Sequence, residues 1–246
     1  KLSDRHPTAI VSGRSLEKLR QWVKVRGLYF AGSHGFEIVG PNGSALNYTV
    51  ASQLLPEIRD ALRLLGEQIA QVPGAMLEDN KYALSVHTRN VSAADLPRLD
   101  GLVQSVLEEQ PLLRRSEGKH VIELKPQVNW NKGRAVEWLL KNMCEQLGLP
   151  SGKEDRNATA MPIYIGDDVA DEDAFAELEH GRGVPIVVRQ TAPLRNETKA
   201  EFYLRDPLQV AEFLSLFLHE ELVAPREKHM PRVPVQAEEV GARRAA

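Results

Sequence analysis

The stretch Ile163-Tyr164-Ile165-Gly166-Asp167-Asp168-Val169-Ala170-Asp171-Glu172-Asp173-Ala174-Phe175 constrains this chain most. A short apolar run ends in Gly-Asp-Asp, and a helix-like segment follows. The crevice beyond the carboxyl ends of parallel strands is where α/β proteins bind ligands. Carboxylates gathered there suit a hard, oxygen-seeking cation such as Mg²⁺. The competing reading is a charged turn in which Asp171 caps the next helix. The apolar strand, the glycine and the five acids between Asp167 and Asp173 favour the metal.

Strands and helices alternate along the rest of the chain, which implies an α/β fold built on a doubly wound parallel sheet. Thr8 to Ser12 reads as a buried strand, Ser15 as the cap of a helix reaching Val25, and Leu28 to Ala31 as the next strand. Pro41-Asn42-Gly43-Ser44 reads as a hairpin turn, because Asn-Gly tolerates positive φ. Ser52 to Gln71 is amphipathic, with Leu55, Ile58, Leu62, Leu65 and Ile69 on one stripe. Strands are expected at Met76 to Glu78, Tyr82 to His87, Leu112 to Arg114 and His120 to Leu124, with a helix from Ala93 to Glu108 between them. This order suggests an inserted module over residues 51–126. Lys132 to Leu147, Asp171 to Glu179 and Pro207 to Leu218 read as helices. Pro162 to Ile165, Val184 to Val188 and Phe202 to Leu204 read as strands. Residues 223–246 have no period and read as a disordered tail.

Composition narrows the function. Thirty-one Lys and Arg against 34 Asp and Glu give a net charge of −3, which argues against nucleic acid as a partner. Cys144 is the one cysteine, so no intrachain disulfide forms. Nothing resembles a signal peptide, and the longest apolar patch, near Phe213 to Leu218, is too short to span a bilayer. A cytoplasmic protein without a membrane partner is the default.

Three segments together resemble the haloacid-dehalogenase-type (HAD) phosphatases. Gly166-Asp167-Asp168 is similar to their last motif, Thr8-Ala9-Ile10-Val11-Ser12-Gly13-Arg14 to their second, and Asn131-Lys132-Gly133-Arg134-Ala135 to their third. Order and spacing resemble the trehalose-6-phosphate phosphatases, in wording closest to the plant and algal branch. So do Tyr29-Phe30-Ala31-Gly32-Ser33-His34-Gly35-Phe36-Glu37 and Leu84-Ser85-Val86-His87-Thr88-Arg89-Asn90. The resemblance covers roughly residues 7–220 and implies a Mg²⁺-dependent hydrolase of trehalose biosynthesis acting on trehalose 6-phosphate. It divides the chain into HAD core (1–50), an α/β cap (51–126), the rest of the core (127–222) and the tail.

The resemblance also assigns roles. Asp167 would be the protein carboxylate on Mg²⁺, with Asp168 an outer partner or weaker ligand. Ser12 would donate to phosphate oxygens, and Lys132 would offset their charge. Arg14 either clamps substrate or pairs with a surface carboxylate. His34 either shapes its turn or touches ligand. Lys119, Glu123 and Lys125 share one parity along a strand, leaving His120, Ile122 and Leu124 for the cap core. A family cap grips its disaccharide with such a Lys-x-x-x-Glu strand and an acid and base on the neighbouring strand, here Glu78 and Lys81. Ser85, His87 and Arg89 are further cap contacts or, for Arg89, structural.

One element of the resemblance is missing. HAD phosphatases carry Asp-x-Asp-Gly-Thr, whose first Asp attacks phosphorus, and these 246 residues contain no such segment. The expectation is an N-terminally truncated form lacking a central strand. The alternative is a non-catalytic HAD-like domain that binds sugar phosphate or a trehalose-phosphate synthase domain or subunit.

Overall fold

The computed structural model describes residues 1–41, 44–149, 160–194 and 196–218. β1 (Thr8–Val11) and β2 (Leu28–Gly32) pair in parallel, and α1 (Leu16–Trp22) connects them. Parallel neighbours need such a crossover, since a tight turn returns the chain antiparallel. β3 (Glu37–Val39) and β4 (Asn47–Thr49) extend the sheet antiparallel in the order β1-β2-β3-β4. Asn42 and Gly43 of the expected turn lie outside the described residues.

Residues 55–126 build a second sheet with its own core. β5 (Met76–Asp79), β6 (Leu84–His87), β7 (Leu113–Gly118) and β8 (Val121–Pro126) form an antiparallel sheet in the order β5-β6-β8-β7. α2 (Leu55–Ile69) and α3 (Leu96–Glu109) cover one face. Ile58, Leu65, Leu99 and Val103 from the helices pack with Leu84, Val86, Ile122 and Leu124 from the strands.

The chain then returns through α4 (Lys132–Gln146), whose Ala135, Leu139 and Met143 cover Tyr29, Ala31 and Ile38 of the first sheet. β9 (Ile163–Gly166), β10 (Val184–Val188) and β11 (Phe202–Leu204) form a parallel sheet ordered β11-β10-β9. α5 (Glu172–Leu178) links β9 to β10, and α6 (Pro207–Leu216) places Phe213 on Ile186 and Leu204. α4 also packs on α5, and Gly133 permits the approach: a Cβ there would stand 2.4 Å from the Asp173 carbonyl oxygen. The expected parallel sheet is therefore present as two parts, with β1 and β9 each at the end of its sheet.

Several element ends differ from expectation for local reasons. α3 starts at Leu96 rather than Ala93, because Pro97 fits only the first helical turn. Residues Ser52–Leu54 form a 3₁₀ turn, and α2 begins beyond it with Pro56 in its first turn. α1 ends at Trp22, where Val23 is already extended. β8 starts at Val121, since His120 has φ 59° and belongs to an exposed turn. His120 consequently does not join Ile122 and Leu124 in the core, and Lys119 shares the turn rather than the strand. Residues 219–246, including the expected tail, lie outside the described residues. Among the described residues no helix is long and apolar enough to cross a membrane.

Candidate functional site

The sheet of residues 76–126 is two-faced, and register explains why. Residues directly opposite one another point to the same side. Glu78 faces Ser85, Ser85 faces Glu123, and Glu123 faces Ser116, so a polar row crosses all four strands. Arg114 and Lys125 form the neighbouring pair on that side. Leu77, Val86 and Ile122 lie on the other side, under the helices. The parity expected for Glu123 and Lys125 is thus present, with Lys119 excluded from it.

The two halves of this polar face do different things. The β7–β8 half lines a cleft with Ser116, Glu123 and Lys125, and Lys132 and Asp168 line the same cleft. The tip of the hairpin reaches the loop after β9: a Cβ on Gly118 would lie 3.9 Å from the Asp168 carboxylate. The β5–β6 half is tied down instead. Glu78 accepts from Arg14 Nη1 at 2.7 Å, Lys18 Nζ at 3.0 Å and His87 Nε2 at 2.9 Å. Burial would raise the Glu78 carboxyl, but His87, Lys18 and Arg14 outweigh it and hold it below its ordinary value. Lys81 Nζ pairs with Glu37, and Ser15 N–H donates to Asn80 Oδ1 at 3.4 Å. Arg14, Glu78 and Lys81, expected around substrate, are therefore engaged with each other and with α1 and β3. Arg14 also lies 4.6 Å over the Trp22 ring. Ser85 accepts from Asn80, and Arg89 is exposed.

His34 connects the cleft to the end of β1. Ser33, His34 and Gly35 have φ of 49°, 58° and 87°, a left-handed loop that turns the imidazole inward. The His34 amide donates to the Ser12 carbonyl at 2.8 Å, and its Nε2 lies 2.8 Å from Glu123 Oε1. Burial lowers the His34 pKa more than Glu123 raises it, so the neutral ring donates from Nε2. Glu123 also accepts from Lys125 Nζ at 3.1 Å and Ser116 Oγ at 3.4 Å. Burial opposes its charge, but His34 and then Lys125 hold the carboxyl well below the usual range. Ser12 Oγ accepts from the Arg14 amide at 3.2 Å at the end of β1. His34 thus shapes its turn, and its ring lines the cleft.

Asp171 organises the segment after β9, and the sequence reading assigned it only a capping role. Its Oδ1 accepts from Lys132 Nζ and from Tyr164 Oη, each at 2.7 Å. Its Oδ2 accepts from the amides of Asp167 and Asp168, each at 3.0 Å. Gly166 makes room: a Cβ there would stand 2.4 Å from the Asp171 carboxyl carbon. Burial would raise this carboxyl, but Lys132, the Asp168 amide and Tyr164 hold it below its ordinary value. Burial and the Asp171 charge push Tyr164 up, so it stays a donor. Asp168 caps the 3₁₀ turn Val169–Asp171, its Oδ1 accepting from the Val169 amide at 2.8 Å, while Asp171 stands at the N-cap position of α5 and closes the capping box with Asp168. Asp167 is left exposed at the strand end. The signal for Asp171 was its position four residues after Asp167, one turn on, beside a lysine-led helix.

Mg²⁺ uses one or two carboxylates and fills its octahedron with water and phosphate oxygens. Among the described residues no three His, Cys, Asp or Glu side chains cluster as a full protein cage. Exposed Asp167, with its backbone fixed by Asp171, fits the smaller contribution.

The chain is similar to known proteins along most of its length. It is 42% identical over 223 residues to the Oryza sativa subsp. japonica protein named "Probable trehalose-phosphate phosphatase 3", covering 85% of this chain and 58% of that one. It is 40% identical over 222 residues to trehalose-phosphate phosphatase B of Arabidopsis thaliana, covering 87% and 56%. The chain thus spans less than two thirds of the length of these curated relatives. Its fold is similar to the solved C-terminal domain of Candida albicans trehalose-6-phosphate phosphatase, with TM-score 0.68, 23% identity and coverage of 88% and 80%. The family model described as Trehalose-phosphatase matches residues 1–208, and the chain belongs to that family.

Proposed function

We propose that these residues form the phosphate-, metal- and sugar-binding part of a phosphatase that hydrolyses trehalose 6-phosphate to trehalose and inorganic phosphate in the cytoplasm. The observation that carries this reading is the cleft lined both by Glu123 and Lys125 of one sheet and by Lys132 and Asp168 of the other unit. Residues 51–126 act as the cap, and residues 1–50 and 127–222 as the two parts of the core. Glu123 and Lys125 supply an acceptor and a donor for sugar hydroxyls. Lys132, held by Asp171, neutralises phosphate charge, and the Ser12 hydroxyl is available to phosphate oxygens. Asp167 would hold Mg²⁺, with Asp168 as its weaker neighbour. When bound, the ion polarises the phosphoryl group as a Lewis acid. Arg14, Glu78 and Lys81 position the cap, while Lys119 stays at its rim.

The retained groups bind and neutralise, but none attacks phosphorus, so hydrolysis needs a nucleophile from outside these residues. That same absence supports a second reading, a non-catalytic domain that binds sugar phosphate or a trehalose-phosphate synthase partner. The test is phosphate release with Mg²⁺, from trehalose 6-phosphate and sucrose 6-phosphate, by this chain and by a gene product that includes an Asp-x-Asp-Gly-Thr segment. Turnover of trehalose 6-phosphate by the longer protein alone is expected. Turnover by neither favours the second reading, and robust turnover by this chain alone overturns the placement of the nucleophile.

A further inference from the structure

Three consecutive residues, Ser33, His34 and Gly35, join the two units beside the cleft. All three have positive φ, and two of them carry side chains. That conformation strains a non-glycine residue and persists only where the surrounding contacts over-determine it. Here the contacts reach each part of the site. The Ser33 amide donates to the Arg14 carbonyl at 2.7 Å, and its hydroxyl to the Asn80 carbonyl in the turn between β5 and β6. The His34 amide donates to the Ser12 carbonyl, and its ring to Glu123. Gly35 lies against α4, where a Cβ would clash with Ala135, one turn beyond Lys132.

The His34 ring has a place made for it. A Cβ on Gly13 would stand 2.8 Å from its Nε2 and 2.9 Å from its Cε1. Nε2 meets one oxygen of Glu123, while Lys125 Nζ and Ser116 Oγ meet the other. The carboxylate is thus braced from the core unit and from its own sheet. It has about four acceptor sites, so three partners leave room for a ligand hydroxyl. Glu123 lines the cleft and keeps 12% of its side chain exposed. The one N–H of the neutral imidazole is spent on Glu123, so His34 has no donor left for a ligand. We propose that His34 is a positioning residue: it fixes the Glu123 carboxylate relative to the end of β1, so that one ligand meets Ser12 with its phosphate and Glu123 with a sugar hydroxyl. This rests on the sugar-phosphate reading of the cleft. A single residue spans the gap, with its amide on Ser12 and its ring on Glu123, so neither end shifts without breaking one of these bonds.

The test is a double-mutant cycle, read by calorimetric titration with trehalose 6-phosphate, and separately with inorganic phosphate, in the presence of Mg²⁺. His34→Asn tolerates the left-handed backbone and is too short to reach Glu123. It is expected to weaken trehalose 6-phosphate by about three- to tenfold, the cost of ordering one freed side chain, with inorganic phosphate unchanged. In a Glu123→Ala background the same substitution is expected to cost nothing more. Wild-type affinity in His34→Asn overturns the proposal, as does an equal loss for both ligands or a loss that adds to that of Glu123→Ala. Where circular dichroism shows that His34→Asn fails to fold, Gly13→Ala displaces the ring alone and carries the same cycle with Glu123→Ala. Absence of trehalose 6-phosphate binding by the unmodified protein instead refutes the sugar-phosphate reading beneath it.

Discussion

Asp171→Asn is expected to destabilise the protein by about 3–5 kcal/mol, the usual cost of breaking a buried ion pair from one side. Asp171 is 4% exposed and its partner Lys132 is 7% exposed, so water cannot replace the lost charge. The carboxylate receives Lys132 Nζ, Tyr164 Oη and the amides of Asp167 and Asp168. A carboxamide has one oxygen to offer these donors and turns its NH₂ towards others. Asp167→Asn, four residues earlier and exposed, changes a surface side chain and is expected to stay within about 0.5 kcal/mol. Urea unfolding at pH 7 measures both. pH supplies a second check. The Asp171 carboxyl is depressed in the folded state. Its contribution is fully present above the unfolded value, about 3.9, and is lost as pH falls through the lower folded value. The gap between wild type and Asp171→Asn should therefore shrink on acidification below about pH 4. A deficit under about 1 kcal/mol at pH 7, or a gap independent of pH, would refute the view that Asp171 holds a desolvated lysine.

Other outcomes are expected from the same geometry. Tyr164→Phe removes one hydrogen bond to Asp171 and should cost about 1–1.5 kcal/mol, read from the same unfolding curves. In a gene product that turns over trehalose 6-phosphate, Asp167→Asn should nearly abolish activity while the unfolding midpoint stays put; near-normal rates at saturating Mg²⁺ would remove Asp167 from the metal site. Glu123→Gln should weaken kcat/KM for trehalose 6-phosphate far more than for a small aryl phosphate, because remote contacts serve only the natural substrate. Equal losses on both would make Glu123 structural. Glu78→Gln removes the charge that Arg14, Lys18 and His87 share and one of its two acceptor oxygens, and hydrogen exchange should rise in 76–87. Unchanged protection there would mean that these ion pairs do not secure the sheet.

Much of this architecture is legible in the sequence, where the signal is local. Alternation exposes the two faces of β8, and the Gly-Asp-Asp at the end of an apolar run marks the end of β9. Prolines shift helix starts by rules that could have been applied earlier: Pro97 alone moves α3 to Leu96. The failures concern pairs remote in the chain. Arg14 and Glu78 are 64 residues apart, and His34 and Glu123 are 89 apart. Nothing in either segment announces that a charged residue is already engaged by the other unit. Asp171 was hidden differently. Its spacing fits a helix cap, and only the close approach at Gly166 shows that its carboxylate turns back towards Lys132.

The division of labour across the polar face has a consequence for how such a protein changes over generations. The β5–β6 half fastens one unit to the other, while the β7–β8 half presents side chains to the cleft. The clasp to α1 and β3 lies at β5–β6 and the cleft lining at β7–β8, although the His34–Glu123 contact also ties the cleft half to the first unit. If the cleft takes the sugar as proposed above, a lineage that replaces Ser116 or Lys125 alters which sugar it prefers, while the clasp at Glu78 stays intact. Drift at Glu78 or Lys81 has the opposite character: it leaves the palate unaltered and unsettles the jaw.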